Sequence, residues 1–300
     1  MNILITGGAG FIGSNIAVKL VTEGNNVTVA DNFHSGSVSN LQAIKDKIKI
    51  LNCESGACEK FTDNYDVIFH KGVYSSTPMY KENPLRVGMV INDFINILEF
   101  ARKQETRIVW ASTSSLYNDL RPPHKENMRI KVTDFYTEAR FAMERLAELY
   151  NKLYGVRSMA LRYFSVYGPG ETAKKTYANL ISQFFWAIRD NESPVIYGNG
   201  KQTRDFTYID DVIDANMLAM KSSIKFGIYN VGTGVETSIN NMVHLLNKKM
   251  HKNLKPKYVE NKISNYVFRI RADTAKAEKE LGFKAKVDLE QGIERLIRFY

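Results

Sequence analysis

Thr6-Gly7-Gly8-Ala9-Gly10-Phe11-Ile12-Gly13-Ser14 follows directly on the β-branched run 2–6 and leads into an amphipathic segment. The glycines at 7, 10 and 13 meet three needs of a strand-to-helix junction. They permit a tight turn, let the backbone approach a pyrophosphate, and let the helix lie close to the sheet. A helix starting there offers free N–H groups and its positive dipole end to phosphate. Asp31 ends the second candidate strand, at the spacing of the acid that accepts both ribose hydroxyls of NAD and repels a 2′-phosphate. This reading makes Gly7, Gly10, Phe11, Ile12, Gly13, Asp31 and Asn32 cofactor-binding residues, with NAD rather than NADP as the cofactor.

Outward from this turn, short β-branched runs alternate with longer amphipathic segments, the pattern of βαβ units and a parallel sheet. Strands are expected at 2–6, 26–30, 49–51, 67–70, 107–111 and 158–162. Phe94, Ile97, Leu98 and Ala101 recur at helical spacing, as do Phe135, Ala139, Met143, Leu146 and Leu149. Each stripe needs a partner, either the sheet or a second subunit. Beyond Tyr163 the texture changes, and Gly168-Pro169-Gly170 breaks the chain. With no repeat and no low-complexity linker, the second half reads as a smaller lobe packed on the first.

Three hundred residues with 44% hydrophobic content can fill a core in one or two domains. No apolar run reaches the roughly 18 residues of a membrane span. The chain opens straight into a strand rather than a charged-then-apolar leader, so a cytoplasmic location is expected. Cys53 and Cys58 stand outside any dense Cys/His cluster and read as ordinary thiols, with no metal expected. The net charge of +9 suits a polyanionic ligand. The basic residues are scattered, however, and the lysine-rich stretch 248–257 is short and reads as a solvated face. Nucleic-acid binding is not expected.

Further motifs carry a resemblance. They are Ala111-Ser112-Thr113-Ser114-Ser115-Leu116-Tyr117, Tyr136-x-x-x-Arg140, Leu161-Arg162-Tyr163-Phe164-Ser165-Val166-Tyr167-Gly168-Pro169, Gly198-x-Gly200-x-x-x-Arg204-Asp205-Phe206 and Asn230-Val231-Gly232-Thr233-Gly234. In this order, over essentially the whole chain, they resemble the extended short-chain dehydrogenase/reductase family, especially its UDP-glucose 4-epimerase branch. The resemblance implies an α/β fold: a Rossmann-type doubly wound parallel sheet with a smaller mixed α/β substrate-binding lobe. The NAD-binding domain would span 1–165, with a return of chain near 204–232, and the nucleotide-sugar lobe 166–300.

By the same resemblance, Tyr136, Thr113 and Arg140 are catalytic. Taking a hydride from a sugar carbon needs a base on the neighbouring hydroxyl, and a tyrosine serves if nearby positive charge lowers its pKa from about 10. Thr113 would hydrogen-bond the reacting oxygen. Tyr136 and Arg140 would also touch the cofactor. Where the family has lysine four residues after the tyrosine, this chain has Arg140, which keeps the charge but cannot give up a proton. Ser165 stands where the family has the asparagine that contacts the sugar nucleotide, and His70-Lys71-Gly72 replaces the usual His-x-Ala-Ala. Substrate contacts are expected from Thr113, Ser165, Tyr197, Arg204, Arg269 and Arg271. Arg204 would pair with the pyrophosphate, where a guanidinium bonds two oxygens at once.

The function implied is NAD-dependent epimerisation of a nucleotide-diphosphate sugar, a UDP-sugar first, at carbon 4. Ser114-Ser115 stand where 4,6-dehydratases carry Asp-Glu and where decarboxylases of UDP-glucuronate carry a glutamate. Three other readings stay open: a 6-epimerase of a nucleotide heptose, a net 4-dehydrogenase, and a silent NAD-binding regulatory protein. Helices near 92–104 and 134–151 match those that pair across a two-fold axis in family dimers, so a homodimer is expected.

Overall fold

The apolar run at the start of the chain becomes the buried β1 (Asn2–Thr6), exposed only at its first residue. The computed structural model describes residues 1–261 and 266–300. After β1 come α1 (Phe11–Thr22), β2 (Asn26–Asp31), β3 (Ile48–Asn52), β4 (Val67–His70), α2 (Thr77–Glu82), α3 (Arg86–Gln104), β5 (Arg107–Thr113), α4 (Phe135–Tyr154) and β6 (Ser158–Tyr163). The rest of the chain gives β7 (Val166–Tyr167), α5 (Leu180–Arg189), β8 (Val195–Tyr197), β9 (Thr203–Arg204), β10 (Thr207–Tyr208), α6 (Ile209–Lys221) and β11 (Phe226–Val231). It closes with β12 (Thr237–Ser238), α7 (Ile239–Lys249), β13 (Lys257–Val259), α8 (Ala275–Leu281) and α9 (Leu289–Phe299).

Seven strands form one sheet in the order β3-β2-β1-β4-β5-β6-β11, parallel throughout. β4, β5 and β6 are buried along their whole lengths, which is why they read as continuous apolar runs rather than alternating ones. Ile16, Ala17 and Leu20 of α1 join Val212, Ala215 and Ala219 of α6 in the core on one face. Phe94, Ile97, Leu98 and Ala101 of α3 join Ala139, Met143 and Ala147 of α4 in the core on the other.

The strands run on beyond their apolar stretches. β5 continues through Ser112 and Thr113, and β6 through Tyr163, because Ser112 pairs with Arg162 and Thr113 with Tyr163 in register. A buried ion pair sits at this polar end. Glu144 accepts from Arg162 at 2.8 and 2.6 Å and from the Ser112 hydroxyl at 2.6 Å. Arg162 also donates to the Tyr117 hydroxyl, which in turn donates to Asn230 on β11.

The α3 stripe faces inward entirely, whereas the α4 stripe divides. Ala139 and Met143 are buried, but Phe135 and Leu149 lie on the solvent side. Cys53 and Cys58 are both free thiols. In the lysine-rich stretch, Lys249 pairs with Glu290 and Glu294 of α9. No helix among the described residues is long and apolar enough to cross a membrane.

Candidate active site

The strand order reverses between β1 and β4, and a doubly wound sheet opens its crevice at the carboxyl ends of the strands at such a point. A cleft of about 400 Å³ lies there. Gly7, Gly10, Phe11, Ile12 and Gly13 line it, together with Thr113, Tyr136, Arg140 and Ser165. A narrower recess, sharing Gly7 and Gly10, continues to Asp31 and Asn32.

The glycine turn is sterically enforced. Gly7 has φ +65°, and a Cβ there would fall 2.5 Å from the Gly72 nitrogen. A Cβ on Gly13 would fall 2.2 Å from the Gly7 carbonyl oxygen. Gly10 is freer and caps α1 without a side-chain hydrogen bond. The first-turn N–H groups of α1 therefore have no intrahelical acceptor and lie in the cleft wall. Asp31 accepts from Ala9 N at 2.9 Å through one oxygen and from Phe33 N at 2.7 Å through the other. Burial pushes its pKa up, against those N–H bonds. Each oxygen keeps a second acceptor direction, so the residues fit a ribose diol beside a pyrophosphate. Asn32 is occupied at the rim, donating to Glu54 at 2.9 Å.

Tyr136 enters the cleft from the start of α4, which is fixed by a capping box between Asp134 and Thr137. Its ring lies 5.6 Å from that of Tyr80 and 5.2 Å from the Arg140 guanidinium. Thr113 closes β5, and its hydroxyl oxygen accepts from Ser115 N at 3.1 Å, which leaves the hydroxyl proton to donate. Arg140 is buried and turned to the main chain, donating to the Ala111 carbonyl at 3.2 Å and the Tyr74 carbonyl at 2.7 Å. Its Nε is buried with no partner among the described residues. Ser165 sits at φ +28°, a left-handed conformation that asparagine tolerates better than serine.

The other expected substrate residues do not line this cleft. Gln202 donates to the Tyr197 carbonyl at 2.9 Å and to the Tyr266 hydroxyl at 3.0 Å. The Arg204 guanidinium lies 5.5 Å from the Tyr266 ring centroid and donates to the Thr203 carbonyl at 2.8 Å. Arg269 is exposed and paired with Glu236. The Arg271 backbone bonds His124, while its buried Nε lacks a partner among the described residues.

The cleft also holds residues that the sequence did not mark. Glu171 is fully buried and accepts from Lys174 at 2.7 Å, Asn179 N at 2.8 Å and Ser182 at 2.5 Å. Lys71, noticed only as a departure from the family pattern, lies buried in the cleft wall.

The model of the NAD dependent epimerase/dehydratase family matches residues 3–232. A Methanocaldococcus jannaschii protein described as "Putative UDP-glucose 4-epimerase" is 35% identical over 99% of this chain and 97% of its own. The UDP-N-acetyl-alpha-D-glucosaminuronate decarboxylase of Bacillus cytotoxicus is 30% identical over 99% of this chain and 97% of its own. Among solved structures, the Thermotoga maritima UDP-glucose 4-epimerase with UDP-glucose superposes with a TM-score of 0.93 at 30% identity, covering 100% of this chain and 98% of that one.

Proposed function

Because this chain belongs to the NAD-dependent epimerase/dehydratase family, we propose that it inverts carbon 4 of a nucleotide-diphosphate sugar, a UDP-sugar first, through a transient 4-keto sugar. Bound NAD supplies the acceptor and the donor of the hydride. Tyr136 takes the proton of the 4-hydroxyl and later returns it. Thr113 donates its hydroxyl proton to the same oxygen and so fixes its position, and the Arg140 guanidinium packs beside the Tyr136 ring. The glycine turn with the α1 N-terminus would hold the pyrophosphate of the cofactor, and Asp31 its adenosine ribose.

The observation that carries the reading is what accompanies Tyr136 and Thr113 in the cleft. Among the described residues that line it, the one carboxylate is Glu171, which is committed to Lys174, Asn179 and Ser182. Ser114 and Ser115 stand beside Thr113 where an acid would assist loss of water or of CO₂. In the second lobe, Tyr197, Arg204, Arg269 and Arg271 would receive the nucleotide and its diphosphate, with Ser165 between that lobe and the reacting carbon. Leu149 and Leu153 on the open side of α4 support a homodimer, and a cytoplasmic enzyme suits a nucleotide-sugar substrate.

The test is to incubate the protein in heavy water with UDP-glucose, UDP-N-acetylglucosamine, UDP-glucuronate and GDP- or ADP-linked hexoses and heptoses, and to follow them by proton NMR. Inversion at carbon 4 with no deuterium in the ring is the expected result. Conversion of UDP-glucuronate to a UDP-pentose would replace this reading with decarboxylation, the reaction named for the Bacillus cytotoxicus relative.

A further inference from the structure

Lys71 follows β4 directly and its side chain folds back under the cleft. Its Nζ donates to the Val109 carbonyl at 3.2 Å and to the Tyr163 hydroxyl at 3.0 Å. It lies 5.8 Å from the Phe69 ring centroid and 5.5 Å from that of Tyr163. Both hydrogen-bond acceptors are neutral. Among the described residues the carboxylate of the same cleft, Glu171, is bonded to Lys174, Asn179 and Ser182, and Asp31, Glu54 and Asp93 line the adjoining recess. On its own strand His70 is held neutral, its pKa pushed down to about 3 chiefly by burial and then by the Arg140 charge. From β5 comes a backbone carbonyl. From β6 comes Tyr163, whose phenol burial pushes up. From α6 comes Asn216, bonded to the Tyr163 hydroxyl. From α4 the charged group in the same wall is Arg140, another cation. Burial pushes the Lys71 pKa well down.

Packing alone gives no reason for an amine here, since an apolar chain of similar length would avoid desolvating a cation. A cationic group in this wall does have a consequence for the bound cofactor, whose nicotinamide is positive when oxidised and neutral when reduced. We propose that Lys71 is a positioning residue for charge: it takes up a proton when bound NAD is reduced, and so biases the cofactor towards its reduced form. The step balances. The sugar C–H bond breaks and its hydride, with two electrons, reduces the nicotinamide. The hydroxyl proton passes to Tyr136, and the proton bound by Lys71 comes from water. The inference rests on the family's use of NAD, and on the presence of Lys71 and Tyr136 in one cleft.

The test is the reduction potential of the bound cofactor, poised against reference redox couples between pH 6 and pH 9. Bound NADH is read by its absorbance, and total nucleotide by mass spectrometry. At acid pH the wild type should hold at least a tenfold higher ratio of NADH to NAD than Lys71→Met at the same poise, and its ratio should fall more steeply as pH rises. Lys71→Arg, permanently charged, should keep the high ratio without the added pH dependence. If Lys71→Met does not fold, Lys71→Gln serves in its place. Equal ratios at every pH, with nucleotide fully bound to wild type and variant, would overturn the proposal alone. A wild-type protein that retains no NAD would overturn it together with the cofactor reading.

Discussion

On the proposed reading Tyr136 is the residue on which the chemistry turns, and it shares the cleft wall with Thr113. Tyr136→Phe should lower turnover of the responsive UDP-sugar by roughly 10²–10⁴-fold while leaving bound NAD, measured by mass spectrometry, unchanged. His70 makes a prediction of another kind. Folding depresses its pKa from 6.5 to about 3, so between these values the unfolded chain binds the extra proton. Its contribution is therefore complete above pH 6.5 and is lost as pH falls towards 3, by up to about 1.4 kcal/mol per pH unit. Urea unfolding at pH 7.5 and pH 5.5 should show a larger loss for the wild type than for His70→Phe. At this scale the sequence was legible where a motif fixes residue type and spacing, as with Gly7, Gly13 and Asp31. It was not legible for Lys71 or Glu171. Their meaning lies in the neutral acceptors from β5 and β6 that hold the one and in the three donors that hold the other.

The elements were easier to read than their ends. The apolar runs at 2–6 and 67–70 coincide with β1 and β4. β5 outruns its apolar stretch because pairing continues through Ser112 and Thr113, whose polar groups are satisfied by Glu144 and by Ser115 N. Nothing local to 107–113 announces partners at 144 and 162. The same junction gives a prediction. Glu144 and Arg162 are each 2% exposed, so Glu144→Ala should cost roughly 3–5 kcal/mol by leaving the Arg162 charge buried alone. Replacing both, as Glu144→Leu with Arg162→Met, should recover part of that loss in a denaturant titration. A double variant no more stable than Glu144→Ala would show that Tyr117 and Asn230, rather than the charge pair, set the cost.

For the molecule as a whole, the open apolar side chains of α4 set the expected assembly. Leu149 is 47% exposed and Leu153 61%, a turn apart on one side of the helix. Sedimentation should find a dimer for the wild type and a monomer for Leu149→Glu combined with Leu153→Glu. A wild type that sediments as a monomer would remove the homodimer from the reading. The position of β11 has a consequence for how the chain comes to be folded at all. The strand that covers β6 is made of residues 226–231, so on the ribosome the first six strands emerge long before their seventh. Until then β6 offers a bare edge of unpaired amides and carbonyls. Parallel pairings across so much intervening chain are slow to form, and an unpaired edge invites self-association. A fragment ending at residue 165 should therefore accumulate in inclusion bodies while the 300-residue chain stays in solution. Adding the segment 204–232 back in trans should rescue the fragment only if it arrives before aggregation does.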